Sequence, residues 1–574
     1  MSDSCQARRS RRTGFLAIVA IALAMGVVIQ SLGWAQTSNF ALVRALSDGT
    51  ARIDAYSWES RDTAYNDGHY YSVKAPGMAA VVLPLYGALE TAGGERLSAE
   101  MARNARDAGA LRWYRAGVAS GQYGGDLQRA RMVRSRIENY TPIVWMLGLA
   151  GCVLPALGLM LLVRAFAERL APGFGTISAI ALGTGTMVLP FATLFFSHVL
   201  AALLGFACFA LLWREREGPR RLGPLVLAGA LSGLATTTEY PLALAGAILG
   251  IYAIGRAGDR RFRSILRRGG AYSAGVVAGI LPLLGYNLWA FGSVTHFSYK
   301  NAIAVQGESG HDVLGLNDGG FFGIGTPSPG AAFDLLLSSK GLLVTSPVLA
   351  LALAGLAIMW RGDHRAEANV IAGISLAYLV YNAGYWLPFG GGTPGPRFLI
   401  PVLPFLALAL APGIRRFSAV GVALLIPSAM TMAIATMTLP MIGNGDTGLW
   451  WHLVEIGNFT QTVLSPFGVD NGWWGLTPFL VPLIAGLALA LAVTPIDWPR
   501  RPAVAAGALG AVLGWAMVAA IAPASPVTDS PRSHDFTPLS IAAVIVVIAI
   551  LGGGAVSGRF SADRRPRLPA ESSA

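Results

Sequence analysis

Long apolar runs recur along the whole chain and are separated by short polar links. A helix needs about 20 apolar residues to cross a bilayer, whereas a soluble core needs no such runs. The pattern therefore predicts an all-α polytopic membrane protein with about fourteen transmembrane helices. Their approximate ranges are 14–35, 141–163, 174–191, 198–213, 222–238, 241–255, 270–291, 341–360, 368–387, 398–413, 418–440, 476–495, 503–523 and 536–554.

Composition and charge agree with this class. Of the 574 residues, 54% are hydrophobic and 13% are charged, and the formal net charge is +12. The arginines concentrate in alternate links, such as 164–169, 214–221 and 256–268, which is the asymmetry expected of cytoplasmic loops. The positive charge therefore indicates topology, with the N-terminal tail inside, and not a nucleic-acid partner. The three cysteines have neither disulfide-framework nor metal-ligand spacing.

The apolar run at 75–89 is short, begins with Ala-Pro-Gly and ends at Glu90. If it crossed the membrane, every later arginine-rich link would face outward, against the charge rule. We therefore predict an interfacial helix that lies at the outer surface with its apolar face in the membrane. Residues 36–140 then form a long first outer loop, and 292–340 form a second outer segment.

A cluster of polar residues precedes this helix. The candidates within 53–77 are Asp54, Glu59, Asp62, Asp67, His69, Tyr70, Tyr71 and Lys74. Carboxylates beside a membrane can act as general bases, as metal ligands or as solvated charges. Lysine is rare, at three residues against 40 arginines. Lys74 is placed either to meet a phosphate at head-group depth or to anchor the helix at the interface.

Three further ionisable residues lie at predicted outer ends of spans. Glu239 follows span 222–238, and His198 opens span 198–213 at another outer end. A carboxylate between two apolar runs lies at the interface or in a polar cavity. Arg397 lies just outside the tenth span, against the local charge rule. Such an exception needs an anionic partner, either a protein carboxylate or a ligand phosphate.

Several of these segments together resemble the GT-C superfamily of integral-membrane glycosyltransferases. That superfamily includes protein O-mannosyltransferases, the lipid A aminoarabinose transferase and actinobacterial arabinofuranosyltransferases, which use polyprenyl-phosphate sugars. The segments that carry the resemblance are Gly68-His-Tyr-Tyr-Ser-Val-Lys-Ala-Pro-Gly77, Tyr286-Asn-Leu-Trp-Ala-Phe-Gly292, Lys340-Gly-Leu-Leu-Val-Thr-Ser-Pro347 and Gly395-Pro-Arg-Phe-Leu-Ile-Pro401. The resemblance covers roughly residues 14–440. It implies a GT-C-like helical bundle whose first outer loop contains juxtamembrane helices.

The resemblance also implies roles for particular residues. In the family a carboxylate of the first outer loop is the catalytic base, and a lysine before the juxtamembrane proline contacts the lipid phosphate. Lys74 matches the lysine. The family's usual aspartate position, directly after the first span, reads Gln36-Thr-Ser-Asn39 here, so the base would be Asp54 or Asp62. Arg397 resembles a second phosphate-binding residue. The remaining candidates, expected to bind or orient substrate, are His69, Tyr70, Tyr71, Glu239 and His198.

The implied activity is inverting transfer of a hexose or pentose from a polyprenyl-phosphate donor to a hydroxyl of a glycan, lipid or protein. The site would lie on the outer, periplasmic face of the cytoplasmic membrane, in cell-envelope or cell-wall synthesis. No cofactor is implied, and no ligand spacing requires a metal, although the carboxylates leave a divalent ion possible. Under this interpretation 1–13 and 555–574 are cytoplasmic tails, 14–440 is the catalytic module, and 441–554 is an outer loop plus a helical extension.

Two other functions fit a polytopic chain. A flippase or transporter of lipid-linked glycans usually carries ionisable groups at mid-membrane depth and often repeated halves, and these spans are nearly free of such groups. A polymer ligase would place its main catalytic loop late in the chain. Binding of the lipid against 54–77 or against 292–340 separates the transferase from the ligase.

Overall fold

The computed structural model describes residues 3–110, 127–255, 261–303, 323–441, 448–498, 502–522 and 536–562. The described chain is predominantly helical. The first helices are α1 (Asp3–Gly26), α2 (Trp34–Ser47), α3 (Gly77–Thr91), α4 (Gly94–Asp107), α5 (Leu127–Gly148), α6 (Leu154–Leu170), α7 (Gly175–Thr184), α8 (Val188–Thr193), α9 (His198–Glu217), α10 (Leu222–Thr238), α11 (Leu242–Ile254) and α12 (Phe262–Phe291). They are followed by α13 (Pro329–Leu337), α14 (Leu342–Thr345), α15 (Ala350–Arg361), α16 (Arg365–Ala383), α17 (Leu403–Arg416), α18 (Ser418–Met437), α19 (Gly448–Glu455), α20 (Thr477–Val493), α21 (Pro502–Ile521) and α22 (Phe536–Ala562).

Each of the fourteen predicted spans falls on a helix, and the chain is a polytopic helical membrane protein. Among the described residues, seven helices are long and apolar enough to cross a membrane by length and composition, or eight if a bent pair is one span. Five further apolar helices have 10–17 residues, and α3 is one of them. The predicted interfacial helix is therefore a short apolar helix, and its orientation in the membrane stays a prediction.

The bent pair joins Pro329–Thr345 to Pro347–Arg361 at an angle of 100°. The break falls at Pro347, which has no backbone N–H to continue a helical ladder. Neighbouring side chains satisfy backbone groups on both sides of it: the Val348 N–H donates to Ser428 Oγ at 3.0 Å, and Trp515 Nε1 donates to the Val344 carbonyl at 2.8 Å. These side chains supply the hydrogen-bond partners that the irregular backbone at the break requires.

The first predicted span ends earlier than expected. α1 stops at Gly26, and Val28–Ile29 forms a short strand, β1, which pairs antiparallel with β5 (Gln461–Thr462). A second helix, α2, then begins at Trp34 and contains residues that the sequence assigned to the outer loop. The boundary of 14–35 was therefore wrong, because an apolar run shows hydrophobicity but not where helical hydrogen bonding gives way to strand pairing.

A small sheet organises the first outer loop. β2 (Thr63–Asn66) and β3 (His69–Ser72) form a hairpin, joined by Asp67 and Gly68, whose φ angles are +48° and +85°. Positive φ at both loop residues is the requirement of a tight two-residue hairpin turn. β4 (Ala302–Ile303) pairs with the other edge of β2, which attaches the second outer segment to the first. Residues 304–322 of that segment lie outside the described residues.

Glycine contacts hold the helices of the bundle at close range. α10 and α12 meet through Gly229 and Gly233 on one helix and Gly275 and Gly279 on the other. A Cβ on Gly275 would lie 2.0 Å from the Val226 carbonyl oxygen. Small residues at such contacts let helix backbones approach without a hydrophobic driving force between them. A second buried cluster joins α2, α3, α5 and the hairpin, and it supports the candidate site.

Candidate functional site

Lys74 and Asp62 form an ion pair at the base of the hairpin. Lys74 Nζ lies 2.8 Å from Asp62 Oδ2, and each side chain is only 16% exposed. Their backbones are fixed by serines: Ser38 donates to the Asp62 carbonyl at 2.6 Å, and Ser72 accepts from the Lys74 N–H at 3.1 Å. Ser38 and Ser72 are themselves hydrogen-bonded at 2.8 Å. α2 and β3 therefore hold the two charges in position before any ligand binds.

Glu239 and His198 form a second polar pair next to this one. His198 Nδ1 lies 3.0 Å from Glu239 Oε1, and the Ser197 hydroxyl donates to the same oxygen. Burial opposes the charge of Glu239, but His198, Ser197 and the positive charge of Lys74 outweigh it and lower the pKa of that carboxyl. Glu239 is therefore a carboxylate in the folded protein. Gly77, three residues after Lys74, contacts Thr238, directly before Glu239, so the two pairs are neighbours.

A close backbone contact explains how the juxtamembrane helix reaches Glu239. Gly77, at the start of α3, lies against Thr238, at the end of α10. A Cβ on Gly77 would be 2.7 Å from Thr238 Cα, so only glycine allows this approach. The Pro-Gly that follows Lys74 in the sequence therefore brings the lysine to the carboxylate.

Arg397 lies near His198 within an aromatic cradle. Its guanidinium carbon is 5.4 Å from the centroid of the Phe196 ring and 5.1 Å from that of Phe398. The His198 and Phe398 ring centroids are 6.0 Å apart, which connects this cradle to the Glu239 pair. Among the described residues Arg397 makes no ion pair, and its buried Nε has no hydrogen-bond partner. The cation is thus held by ring faces and leaves its charge available to an anion.

Tyr299 is a central residue that the sequence analysis missed. Burial and the negative charges of Asp62 and Glu239 raise the pKa of its hydroxyl, and the positive charge of Arg397 acts against that rise. Tyr299 therefore lies among three of the candidate residues and stays protonated. It reaches them because β4, which begins three residues after Tyr299, pairs with β2, which begins directly after Asp62. No sequence signal pairs residue 302 with residue 64, so this neighbour could not be found beforehand.

Asp54 and its neighbours lie outside this arrangement. Asp54 is 44% exposed; it accepts a hydrogen bond from the Tyr70 N–H at 2.6 Å and lies 2.8 Å from His69 Nδ1. No ion pair joins it to Lys74 or Arg397 in the described part of the chain. Tyr71 is buried and packs on Phe291, with ring centroids 4.7 Å apart. These residues fix the hairpin, and their catalytic or orienting roles stay predictions.

The remaining carboxylates of the cluster have structural partners. Glu59 is almost fully buried and pairs with Arg44 and with Arg136, the latter at 3.1 Å. Arg44 in turn lies over the Tyr56 ring at 3.8 Å. Asp67 occupies the hairpin turn. Among the described residues, no group of three or more histidine, cysteine, aspartate or glutamate side chains could hold a metal ion.

The structure therefore brings together five of the nine residues to which the resemblance gave roles. They are Asp62, Lys74, Glu239, His198 and Arg397. They lie beside the hairpin, at the start of α9, at the end of α10 and in the segment before α17. The predicted alternation of spans puts these ends on the same side of the membrane. Two carboxylates, two cations and a tyrosine hydroxyl at one place can bind an anion and accept a proton.

No protein-family model matches the chain, and no curated protein matches it at a significant level. Among solved structures, the chain is similar to the crystal structure of ArnT from Cupriavidus metallidurans bound to undecaprenyl phosphate. The two are 12% identical, the match covers 96% of this chain and 88% of that one, and the TM-score is 0.44. The chemistry of this site is therefore inferred from the residues of this chain.

Proposed function

We propose that this protein is a membrane glycosyltransferase of the GT-C superfamily. It transfers a sugar from a polyprenyl-phosphate donor to an acceptor hydroxyl, at the outer face of the cytoplasmic membrane. The observation that carries the proposal is the Lys74–Asp62 pair beside Glu239 and Arg397, which combines a fixed carboxylate with two cations at the ends of membrane helices. The distribution of arginines supports the outward orientation of these ends.

The donor phosphate binds between Lys74 and Arg397. A phosphate is a stronger partner for the Lys74 ammonium than one carboxylate oxygen because it offers more charge and more acceptor atoms. Binding of the donor therefore draws Lys74 away from Asp62. The same exchange removes the positive charge of Lys74 from Asp62, which makes that carboxylate a better proton acceptor.

Asp62 then takes the proton of the acceptor hydroxyl as its oxygen attacks the anomeric carbon. The new bond joins the acceptor oxygen to that carbon, and the bond from the carbon to the phosphate oxygen breaks. The electron pair of the broken bond stays on the phosphate, where Lys74 and Arg397 stabilise the developing charge. Attack opposite the leaving group inverts the anomeric carbon. Glu239, being ionised, orients His198 rather than donating a proton.

Asp62 is the base in this mechanism, and Asp54 is not. Asp62 lies against the proposed phosphate-binding lysine, whereas Asp54 is exposed and bonded to His69 and the Tyr70 N–H of β3. The transporter alternative gains no support, because the charged residues lie at helix ends and not inside the spans.

The test is sugar transfer by membranes that contain the full-length protein, with decaprenyl-phosphate hexoses and pentoses as donors. Loss of a positioned general base costs about 10²–10⁴-fold in rate, so we expect Asp62→Asn to lose about 100-fold or more. Asp54→Asn is the matched control and should keep transfer within about threefold. Full activity of Asp62→Asn would exclude Asp62 as the general base. If the wild type transferred sugar from none of these donors, the proposed glycosyltransferase function would be contradicted.

A further inference from the structure

One ring nitrogen of His198 is not used by the contacts of the candidate site. Nδ1 lies 3.0 Å from Glu239 Oε1. Nε2, across the ring from it, is buried and has no hydrogen-bond partner among the described residues, and the whole residue is only 5% exposed. Buried polar atoms are nearly always hydrogen-bonded, and leaving one without a partner is unfavourable. Nε2 is therefore a position at which a ligand atom can complete the hydrogen bonding.

Glu239 determines which nitrogen of the neutral imidazole carries the hydrogen. The ionised carboxylate has no proton to donate, so Nδ1 carries the hydrogen and donates it to Glu239. The Ser197 hydroxyl donates to the same carboxylate oxygen and helps to fix it. In the neutral ring Nε2 is then an acceptor with a free electron pair. It can bond to an oxygen of an anion only after it has taken up a proton.

His198 and Arg397 lie against the same two aromatic rings. The His198 ring stacks on Phe196, with centroids 5.6 Å apart and 17° between the planes, and its centroid is 6.0 Å from that of Phe398. The Arg397 guanidinium lies over both of these rings. Ring faces attract cations, so the rings that hold the guanidinium would also stabilise a protonated imidazole.

The charges around His198 favour one additional positive charge when an anion binds. The charged groups that the described contacts place around it are Glu239 at the end of α10, Lys74 and Asp62 beside the hairpin, and Arg397 before α17. The neighbouring titratable groups without charge are Cys152, Tyr240, Tyr299 and Tyr385. The four charges cancel. The phosphodiester of a lipid-linked sugar adds one negative charge, and an unbalanced charge in a largely buried site is costly.

We propose that His198 takes up one proton when the lipid-linked donor binds and that its Nε2–H then donates a hydrogen bond to a phosphate oxygen, beside Lys74 and Arg397. The inference rests on the proposed function. The proton comes from the solvent, and the imidazolium stays bonded to Glu239 through Nδ1. Its charge balances that of the phosphodiester. Lys74 and Arg397 are already charged at neutral pH, so neither of them gives donor binding such a dependence on protons.

The competing role for Nε2 is to accept the proton of the acceptor hydroxyl during transfer. That role needs the neutral ring and no proton uptake when the donor binds, so the pH dependence of donor binding separates the two.

The experiment measures the dissociation constant of decaprenyl methyl phosphate for the purified full-length protein between about pH 6 and pH 8.5, around the ordinary histidine value. This lipid is a phosphodiester with one negative charge, as in the donor, and it does not titrate in that range. His198→Gln keeps a side-chain donor but cannot titrate, and Glu239→Gln removes the charge that stabilises the imidazolium. His452→Gln, at an exposed histidine of α19, is the matched control.

Uptake of one proton makes the dissociation constant rise by up to about tenfold for each pH unit. We expect a rise of at least about fivefold from pH 7 to pH 8 in the wild type and in His452→Gln, a change within about twofold in His198→Gln, and loss of most of the dependence in Glu239→Gln. A wild-type dissociation constant that does not vary with pH would overturn the proton uptake and leave the proposed function intact. The full dependence in either His198→Gln or Glu239→Gln would do the same, so the test does not depend on the folding of one variant. If the wild type bound this lipid at no pH, the proposed function would be contradicted as well.

Discussion

Lys74 Nζ lies 2.8 Å from Asp62 Oδ2, so the proposed phosphate-binding cation and the proposed base neutralise each other before substrate binds. Both side chains are largely buried, and serines fix both backbones. In the proposed mechanism this pair couples donor binding to acceptor activation, because the donor phosphate takes Lys74 and thereby releases Asp62.

The variant Lys74→Gln tests whether Lys74 binds the donor phosphate. The variant removes the phosphate-binding ammonium, and we expect it to weaken decaprenyl phosphate binding at least about tenfold, the effect of losing one charge-assisted contact. Binding is measured by titration of the purified protein. Arg96→Gln, which removes an exposed cation of the same outer loop that pairs with Glu100, should leave binding unchanged. Equal affinity of wild type and Lys74→Gln would exclude Lys74 from the phosphate site.

Two adjacent glycines provide a matched test of Arg397. Gly390 and Gly391 both have positive φ, at +78° and +99°, so alanine strains the backbone at either position. Only at Gly390 would the Cβ collide with the arginine, 2.4 Å from its Nε; at Gly391 the nearest atom is 3.8 Å away. We expect Gly390→Ala to reduce the rate of sugar transfer at least about tenfold more than Gly391→Ala does, since displacement of a positioning group by about 1 Å can cost 10²-fold. Similar activity of the two variants would contradict the role given to Arg397.

We expect the close glycine contact between α10 and α12 to be required for the stability of the folded protein. Leucine at Gly275 would force its Cβ to within 2.0 Å of the Val226 carbonyl oxygen, whereas Gly270, on the same helix, has no atom within 4 Å of an added Cβ. We expect Gly275→Leu to destabilise the protein by about 3 kcal/mol or more and Gly270→Leu to be near neutral. Thermal unfolding in detergent measures the difference. Equal melting temperatures would mean that the helices do not approach this closely.

The lowered pKa of Glu239 predicts how the stability contributed by this carboxylate changes with pH. Its pKa is lowered in the folded protein, so it contributes stability above its unfolded pKa, and that contribution is lost as the pH falls through the folded value. The gap in melting temperature between wild type and Glu239→Gln should therefore be constant above about pH 4.3, the ordinary glutamate value, and should close below it. Glu100→Gln, at an exposed pair, should show almost no gap at any pH. A gap that widens on acidification would contradict the assignment.

The helical architecture followed from the sequence because an apolar run of membrane length has few alternatives to a helix. Each of the fourteen apolar runs contains a helix, but the ends of these helices were less predictable. Residues 174–191 form two helices with a break at 185–187, and the run ending at 35 contains a strand. Hydrophobicity is similar on both sides of such breaks, so it does not reveal them.

The candidate site was predictable in part. Asp62, Lys74, Glu239, His198 and Arg397 were identifiable because ionisable residues are conspicuous at the ends of apolar runs. Tyr299 was not, because its position depends on strand pairing between segments more than 200 residues apart. The Asp-Gly at 67–68 was an available signal for the hairpin, since this dipeptide favours a two-residue turn.

The proposed phosphate site is tested by the structure of the full-length protein with a polyprenyl-phosphate sugar bound, in particular by the position of its phosphorus atom. We expect phosphate oxygens in contact with Lys74 Nζ and the Arg397 guanidinium, with the Asp62 carboxylate released from Lys74 and turned toward the anomeric carbon. A phosphate bound against residues 323–340, with the Lys74–Asp62 pair still at 2.8 Å, would contradict it.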